Sequence, residues 1–312
     1  MVVRWTPPWR PDLGATLAVL RHGGADPAFR VEPGGAIWRA SRTPLGPGAQ
    51  RLHLEPASGA VVGAHWGAGA PWLAERLPAL LGGHDADSYQ QWCELVRPSG
   101  LATHRGLAEL TRRFPGWRIP RTEVVYDALL PAILEQKVTG GEARDGWAWL
   151  LRRVGEPLAE QRLVAPPEPD RLRSIASWEF HRAGIGPERA ATLLRVARAG
   201  PAVERMLSVE LDAAASMICT IPGIGAWTVA EVMQRAVGSP DHVSFGDFHV
   251  GVGIVWALSG EFIDRDIADA AAAELLEPFA GHRYRVQRLL ELGRVRRPRR
   301  GPRYAPLDQR NR

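Results

Sequence analysis

Thr220-Ile221-Pro222-Gly223-Ile224-Gly225-Ala226-Trp227-Thr228-Val229-Ala230 lies between two stretches of apolar residues at helical spacing. Leu211, Ala214, Ala215 and Ile218 form one stripe before it, and Trp227 to Val237 continue after it. Pro222 ends the first helix, and Gly223 and Gly225 allow a tight hairpin through positive φ values. The second helix then starts with its free N–H groups beside the hairpin. Such a turn offers backbone donors and the positive end of a helix dipole to an anion. Phosphate is the natural anion, and donors of this kind read no base sequence. A plain turn between helices also uses Gly-x-Gly, so the hairpin alone leaves both readings open.

Asp247 lies 22 residues past Gly225, in Ser244-Phe245-Gly246-Asp247-Phe248-His249-Val250, just before an apolar helical stretch ending near Leu258. Its plain reading is an N-cap, since the dipole at a helix start favours an anion. Asp241 follows Pro240 in a turn-like stretch and reads as structural.

Hairpin and aspartate together resemble the helix–hairpin–helix (HhH-GPD) DNA glycosylase superfamily. Within it they are most similar to the bacterial 3-methyladenine DNA glycosylase II (AlkA-type) enzymes. Ile133-Leu134-Glu135-Gln136-Lys137-Val138-Thr139 is similar to that family's helix start, from which a side chain enters the DNA gap. Gly184-Ile185-Gly186-Pro187-Glu188-Arg189-Ala190 is similar to its mid-domain helix junction; lacking a downstream acid, it reads as a helix break. With the β-rich N-terminal part, the resemblance covers about residues 8 to 292.

The resemblance implies an enzyme that flips a damaged base out of duplex DNA and hydrolyses its glycosidic bond. Asp247 then stabilises the oxocarbenium-like charge on the sugar. Pro222, Gly223, Ile224, Gly225, Trp227 and Thr228 form the DNA-binding hairpin; Gln136 hydrogen-bonds the widowed base, and Lys137 enters the gap, reaches a phosphate or simply faces solvent from its helix. Bifunctional relatives carry a Schiff-base lysine where Trp227 stands here. Lys137 is the sole lysine, against 38 arginines, so no AP-lyase activity is expected. Family aromatics that stack on a cationic base are replaced by Glu231 and, in the last helix, Leu290. The expected pocket is therefore Trp227, Glu231 and Leu290, with Glu231 either attracting a cationic base or facing solvent. N-alkylated purines are the expected substrates, with another lesion as the alternative. No cofactor or metal is expected beyond a monovalent cation at the hairpin, which the resemblance allows.

Composition bounds these readings. The 312 residues are 45% apolar and 23% charged, ordinary for a globular chain of about two domains. No spanning apolar run or secretory h-region is present, so a cytoplasmic, nucleoid-associated monomer without membrane contact is expected. Residues 293–312 hold eight arginines and one acid, leaving 31 basic and 33 acidic groups elsewhere. That tail reads as disordered, either a phosphate-binding arm or a solvated end with no specific role. Cys93 and Cys219 read as buried free thiols, too few for an iron–sulfur cluster or a Cys-rich zinc site.

The fold class is α+β, with a small β-rich N-terminal domain over residues 1–85, a mostly helical glycosylase domain over 86–292 and an arginine-rich tail. Arg51 to Glu55 alternates and turns through Pro56-Ala57-Ser58-Gly59 into Ala60 to Trp66; Thr16–Leu20 and Ala36–Ser41 are two further strands. Trp72–Leu81, Tyr126–Leu134, Trp147–Val154, Leu172–Phe180, Ala190–Ala199, Ile267–Leu276 and Tyr284–Leu292 read as helices, and 164–169 as a connection. Trp178 and Trp256 read as core, and His181 and His249 as ordinary. Two other functions fit parts of this pattern. A non-catalytic helix–hairpin–helix DNA-binding protein would need no acid at 247, and a scaffold with an RNA-binding tail would need no DNA affinity in its body.

Overall fold

The computed structural model describes residues 1–97 and 102–298. The rest of the arginine-rich tail, 299–312, lies outside the described residues. Five antiparallel strands form one sheet: β1 (Val2–Trp5), β2 (Phe29–Val31), β3 (Ile37–Thr43), β4 (Gly46–Leu54) and β5 (Val61–Gly67), in the order β1-β5-β4-β3-β2. Period-two alternation gives this sheet two buried faces. Ile37, Leu52 and Val61 point into a core with helices α1 (Leu13–Leu17) and α3 (Leu77–Leu80), while α2 (Ala70–Glu75) packs against β4 and β5. Ala40 and Ala49, paired across β3 and β4, point the other way into the helical body. Their small side chains allow the sheet to lie close to those helices.

Twelve helices follow among the described residues: α4 (Ala86–Leu95), α5 (Ala102–Arg113), α6 (Val125–Leu134), α7 (Gly140–Val154), α8 (Pro169–Arg173), α9 (Ser177–Arg182), α10 (Pro187–Ala199), α11 (Leu211–Cys219), α12 (Ala226–Val232), α13 (Val250–Ser259), α14 (Arg265–Leu276) and α15 (Arg283–Leu292). Between α7 and α8 a short strand pair forms, β6 (Glu156–Leu158) and β7 (Leu163–Ala165). The helices make two cores. One surrounds α6, every residue of which is buried, and takes in Leu150, Leu193, Ile224, Val229 and Met233. The other joins Trp92, Leu107 and Trp117 to Ile254, Leu276, Tyr284 and Leu289. Residues 237–249 pass from the first core to the second, and Asp247 sits on that passage.

Several expectations are corrected. Thr16–Leu20 is not a strand: Asp12 Oδ1 accepts the Ala15 N–H at 2.9 Å, and this cap starts a helix at Leu13. Trp72–Leu81 and Leu172–Phe180 each split into two short helices, and 164–165 belong to β7. Cys219 is exposed and Cys93 half-buried, because α11 ends at the surface beside the hairpin. Trp178 is 57% exposed, on the outer face of α9 with the Arg182 guanidinium 5.6 Å from its ring.

Two buried charge contacts lock the layers. Asp127 of α6 accepts from Ser41 Oγ at 2.6 Å and the Arg42 N–H at 3.0 Å; burial pushes its carboxyl up to about 6 against the opposing pull of Arg39. Arg285 of α15, fully buried, donates to Asp85 at 3.0 and 2.5 Å and to Ser88 Oγ at 3.0 Å. Asp85 also accepts the Ile119 N–H at 3.1 Å. Removing one member of such a pair leaves the other charged and buried. Asp85→Ala should therefore destabilise the chain by about 3–5 kcal/mol in urea unfolding. Among the described residues no helix is long and apolar enough to cross a membrane.

Candidate functional site

The hairpin joins α11 to α12. Gly223 has φ +94°, and a Cβ there would lie 2.1 Å from Thr192 Oγ1 on α10, so both conformation and contact demand glycine. Gly225 departs from the expected positive φ: it is extended at −106° and precedes the first turn of α12. Ile224 between them is buried in the first core, which pins the turn while Pro222, Gly223, Gly225 and Ala226 stay exposed. Gly184-Ile185-Gly186 repeats this pattern, with φ +75° at Gly184, a buried Ile185 and an extended Gly186 before α10.

Side chains from two other elements hold the hairpin. Gln136 Nε2 donates to Gly223 O at 3.0 Å and to Thr228 Oγ1 at 2.8 Å. Arg195 of α10 donates to Pro222 O at 3.1 Å. Gln136 thus spends both amide hydrogens on the hairpin rather than on a widowed base. Lys137 is not at a helix start. It lies in the turn between α6 and α7, exposed, with φ +53°, a conformation that is strained for a side-chain-bearing residue. The turn closes at Thr139, whose side chain and that of Glu142 cap α7 reciprocally.

The aspartate loop lies against the start of α12. A Cβ on Gly246 would be 3.7 Å from the Cβ of half-buried Trp227. Asp247 Oδ1 accepts the His249 N–H at 2.6 Å and the Val250 N–H at 3.1 Å, which caps α13. Oδ2 has no partner among the described residues. One carboxylate oxygen is thus structural and the other is available to chemistry.

Ser244, buried, anchors the loop from inside. Its N–H donates to Gln287 Oε1 at 3.0 Å, its hydroxyl donates to Glu231 Oε1 at 2.6 Å, and Gln234 Nε2 donates to that hydroxyl at 2.8 Å. Glu231 also pairs with Arg235 one turn on at 2.6 Å. Burial pushes the Glu231 carboxyl up, and Arg235 opposes that. Glu231 therefore neither faces solvent nor presents a free carboxylate, because both oxygens are engaged within the protein. Leu290 is buried in the second core. Trp256 is half-buried against Phe262, and exposed His249 packs on exposed Phe248.

Beside the Gln136 turn, Glu135 accepts from His22 Nδ1 at 3.2 Å. Burial raises the Glu135 carboxyl, but His22, Arg235 and Arg144 hold it below the usual range. Sequence reading missed Ser244, Gln234, Glu135 and His22. The Glu231–Arg235 spacing of four on a helix is a signal that could have found that pair.

No group of His, Cys, Asp and Glu suited to a metal occurs among the described residues. The hairpin carbonyls of Pro222 and Gly223 accept from Arg195 and Gln136. These two oxygens are therefore already engaged by protein donors, a guanidinium among them.

No protein-family model matches the sequence, and no curated protein is significantly similar to it. Solved structures are similar. A 3-methyladenine DNA glycosylase from Archaeoglobus fulgidus superposes with a TM-score of 0.72 at 18% identity, covering 93% of this chain and 98% of its own. An 8-oxoguanine glycosylase/lyase from Clostridium acetobutylicum, bound to duplex DNA with cytosine opposite the lesion, gives 0.64 at 14% identity, covering 91% and 92%. The 3-methyladenine DNA glycosylase Mag1 of Schizosaccharomyces pombe, bound to abasic DNA, gives 0.50 at 15% identity, covering 65% and 97%. Over more than nine-tenths of its length, the chain carries the fold of the DNA glycosylases.

Proposed function

We propose that the chain is a monofunctional DNA glycosylase of base excision repair, with N-alkylated purines as its substrates. The observation that carries this reading is Asp247: half-buried, aimed by its own cap and held beside Trp227 and the hairpin. The exposed hairpin backbone binds a phosphate of the damaged strand, with Arg195 and Lys137 adding positive charge nearby. That grip fixes the register while the target base leaves the stack. As the glycosidic bond lengthens, positive charge builds on the sugar, and the free Asp247 oxygen stabilises it. The base leaves with the electron pair of the glycosidic bond, and water adds to the sugar carbon, giving up its proton to the free Asp247 oxygen.

Trp227 occupies the position of the Schiff-base lysine, and Lys137 sits in a different turn, so the chain has no amine on α12 for strand cleavage. Alkylation places positive charge on a purine and makes it a good leaving group. Glu231, tied to Arg235 and Ser244, recognises no base directly in this account; it holds the Asp247 loop.

The test is a panel of duplexes carrying methylated, deaminated or oxidised bases, with alkali used to reveal abasic sites. Base release from methylated DNA, with no nicking before alkali and no borohydride-trapped adduct, is expected. Release confined to oxidised bases would overturn the alkylpurine assignment, and trapping would overturn the monofunctional one. Release of no base at all, with duplex binding retained, would favour a non-catalytic DNA-binding protein.

A further inference from the structure

We infer that Asp269, on α14, is a positioning residue for the Asp247 carboxylate. This rests on the reading of Asp247 given above, and nothing in that reading assigns Asp269 a part. Asp269 Oδ2 accepts the Gly246 N–H at 2.7 Å. Gly246 has φ +90°, the turn at which the chain redirects from the Ser244 anchor to Asp247. Glycine is free to leave that conformation; within the loop the Asp247 N–H donates to Ser244 O at 3.2 Å across the turn, and Asp269 adds a hold from outside it. Ser244 fixes the inner side of the loop, and Asp269 is what fixes the outer side.

Two contacts bring α14 close enough for this. α14 crosses α13 at Gly251, where a Cβ would lie 2.3 Å from Asp269 Oδ1 and 3.1 Å from the Asp269 N. One turn before Asp269, the Arg265 guanidinium lies 4.3 Å from the ring centroid of Phe248, the residue after Asp247. The first two turns of α14 therefore grip the residues on both sides of Asp247. Gly246 is exposed, so its N–H could be satisfied by water if Asp269 were absent. Losing the bond therefore leaves no buried donor unsatisfied. Its effect is on where the loop spends its time, and so on the aim of the free Asp247 oxygen.

Asp269→Ala and Asp269→Asn separate the hydrogen bond from the charge, because an asparagine Oδ1 still accepts from Gly246. Two measurements are made on the full chain. One is hydrogen–deuterium exchange over residues 244–250. The other is single-turnover release of 3-methyladenine from methylated duplex, with abasic-duplex binding alongside. Asp269→Ala should speed loop exchange about tenfold or more and slow release about 10- to 100-fold, the scale of a misaimed catalytic group. Abasic-duplex binding should change only a few-fold. Asp269→Asn should return both exchange and release most of the way to wild type.

Unchanged exchange in Asp269→Ala would overturn the inference. So would an Asp269→Asn variant as slow as Asp269→Ala, which would point to charge, or a loss of binding parallel to the loss of rate. If wild type releases no base while Asp269→Ala still loosens the loop, the positioning stands and the glycosylase reading is what fails.

Discussion

Asp247→Asn should lower base release at least about 100-fold while leaving affinity for abasic duplex within a few-fold of wild type. The asparagine is a clean probe here. Asp247 Oδ1 caps α13 through the His249 and Val250 N–H groups, and an asparagine Oδ1 accepts both of those bonds. What it removes is the charge on the second oxygen. Asp247→Ala, by contrast, also loses the cap, at a cost of about 1 kcal/mol of stability. The two variants should therefore be equally slow but differ in thermal midpoint, with asparagine close to wild type. Turnover by Asp247→Asn above roughly a hundredth of wild type would remove Asp247 from the chemistry.

The same residue shows how far the sequence alone could be read. Hairpin and aspartate are legible because each is a local pattern: a helix stop, two glycines, a buried isoleucine and an acid before an apolar helix. The alternation of Arg51 to Leu54 and the long apolar faces of α6 and α10 are legible for the same reason. Gly225 shows the limit even there. Gly-x-Gly suggests two positive φ values, but only Gly223 has one; Gly225 is extended.

The partners of these elements are a different matter. Gln136 reaches Gly223 across 87 residues, Asp269 reaches Gly246 across 23, and Ser244 reaches Gln287 across 43. Periodicity tells which face of a helix is buried, and says nothing of which polar side chain it will meet. Glu231 illustrates the consequence. Aligned with a stacking position, it reads as a pocket residue, yet the helix that carries it also carries Arg235 four residues on. With Ser244 arriving from the loop, both carboxylate oxygens are taken up inside the protein. A buried carboxylate paired in this way is costly to break, which makes it an anchor rather than a sensor of the substrate.

Gly223→Val should weaken binding to every duplex alike, lesion-bearing or not, because in the proposed role the hairpin meets phosphate and reads no base. Two physical effects add. A β-branched residue at φ +94° is held in a region its side chain avoids, at about 1–3 kcal/mol. The new Cβ would also stand 2.1 Å from Thr192 Oγ1, with the Thr192 Cβ and Cγ2 both at 3.2 Å. Thr192 is buried and bonded to Glu188 O at 2.9 Å, so it cannot swing away, and the hairpin must move instead. Moving it breaks the Gln136 bond to Gly223 O and the Arg195 bond to Pro222 O. Thr192→Ala in the Gly223→Ala background should recover the steric part of the loss but not the conformational part. Gly225→Ala is the control. Its φ suits any residue and its Cβ would meet nothing within 4 Å, so the free protein should be nearly as stable as wild type. Any loss of DNA affinity in that variant must come from crowding the strand itself. Fluorescence-anisotropy titrations of intact, abasic and methylated duplexes decide the matter. A Gly223→Val variant that lost affinity for one lesion only would show that the hairpin reads bases, and would overturn its role as a phosphate clamp.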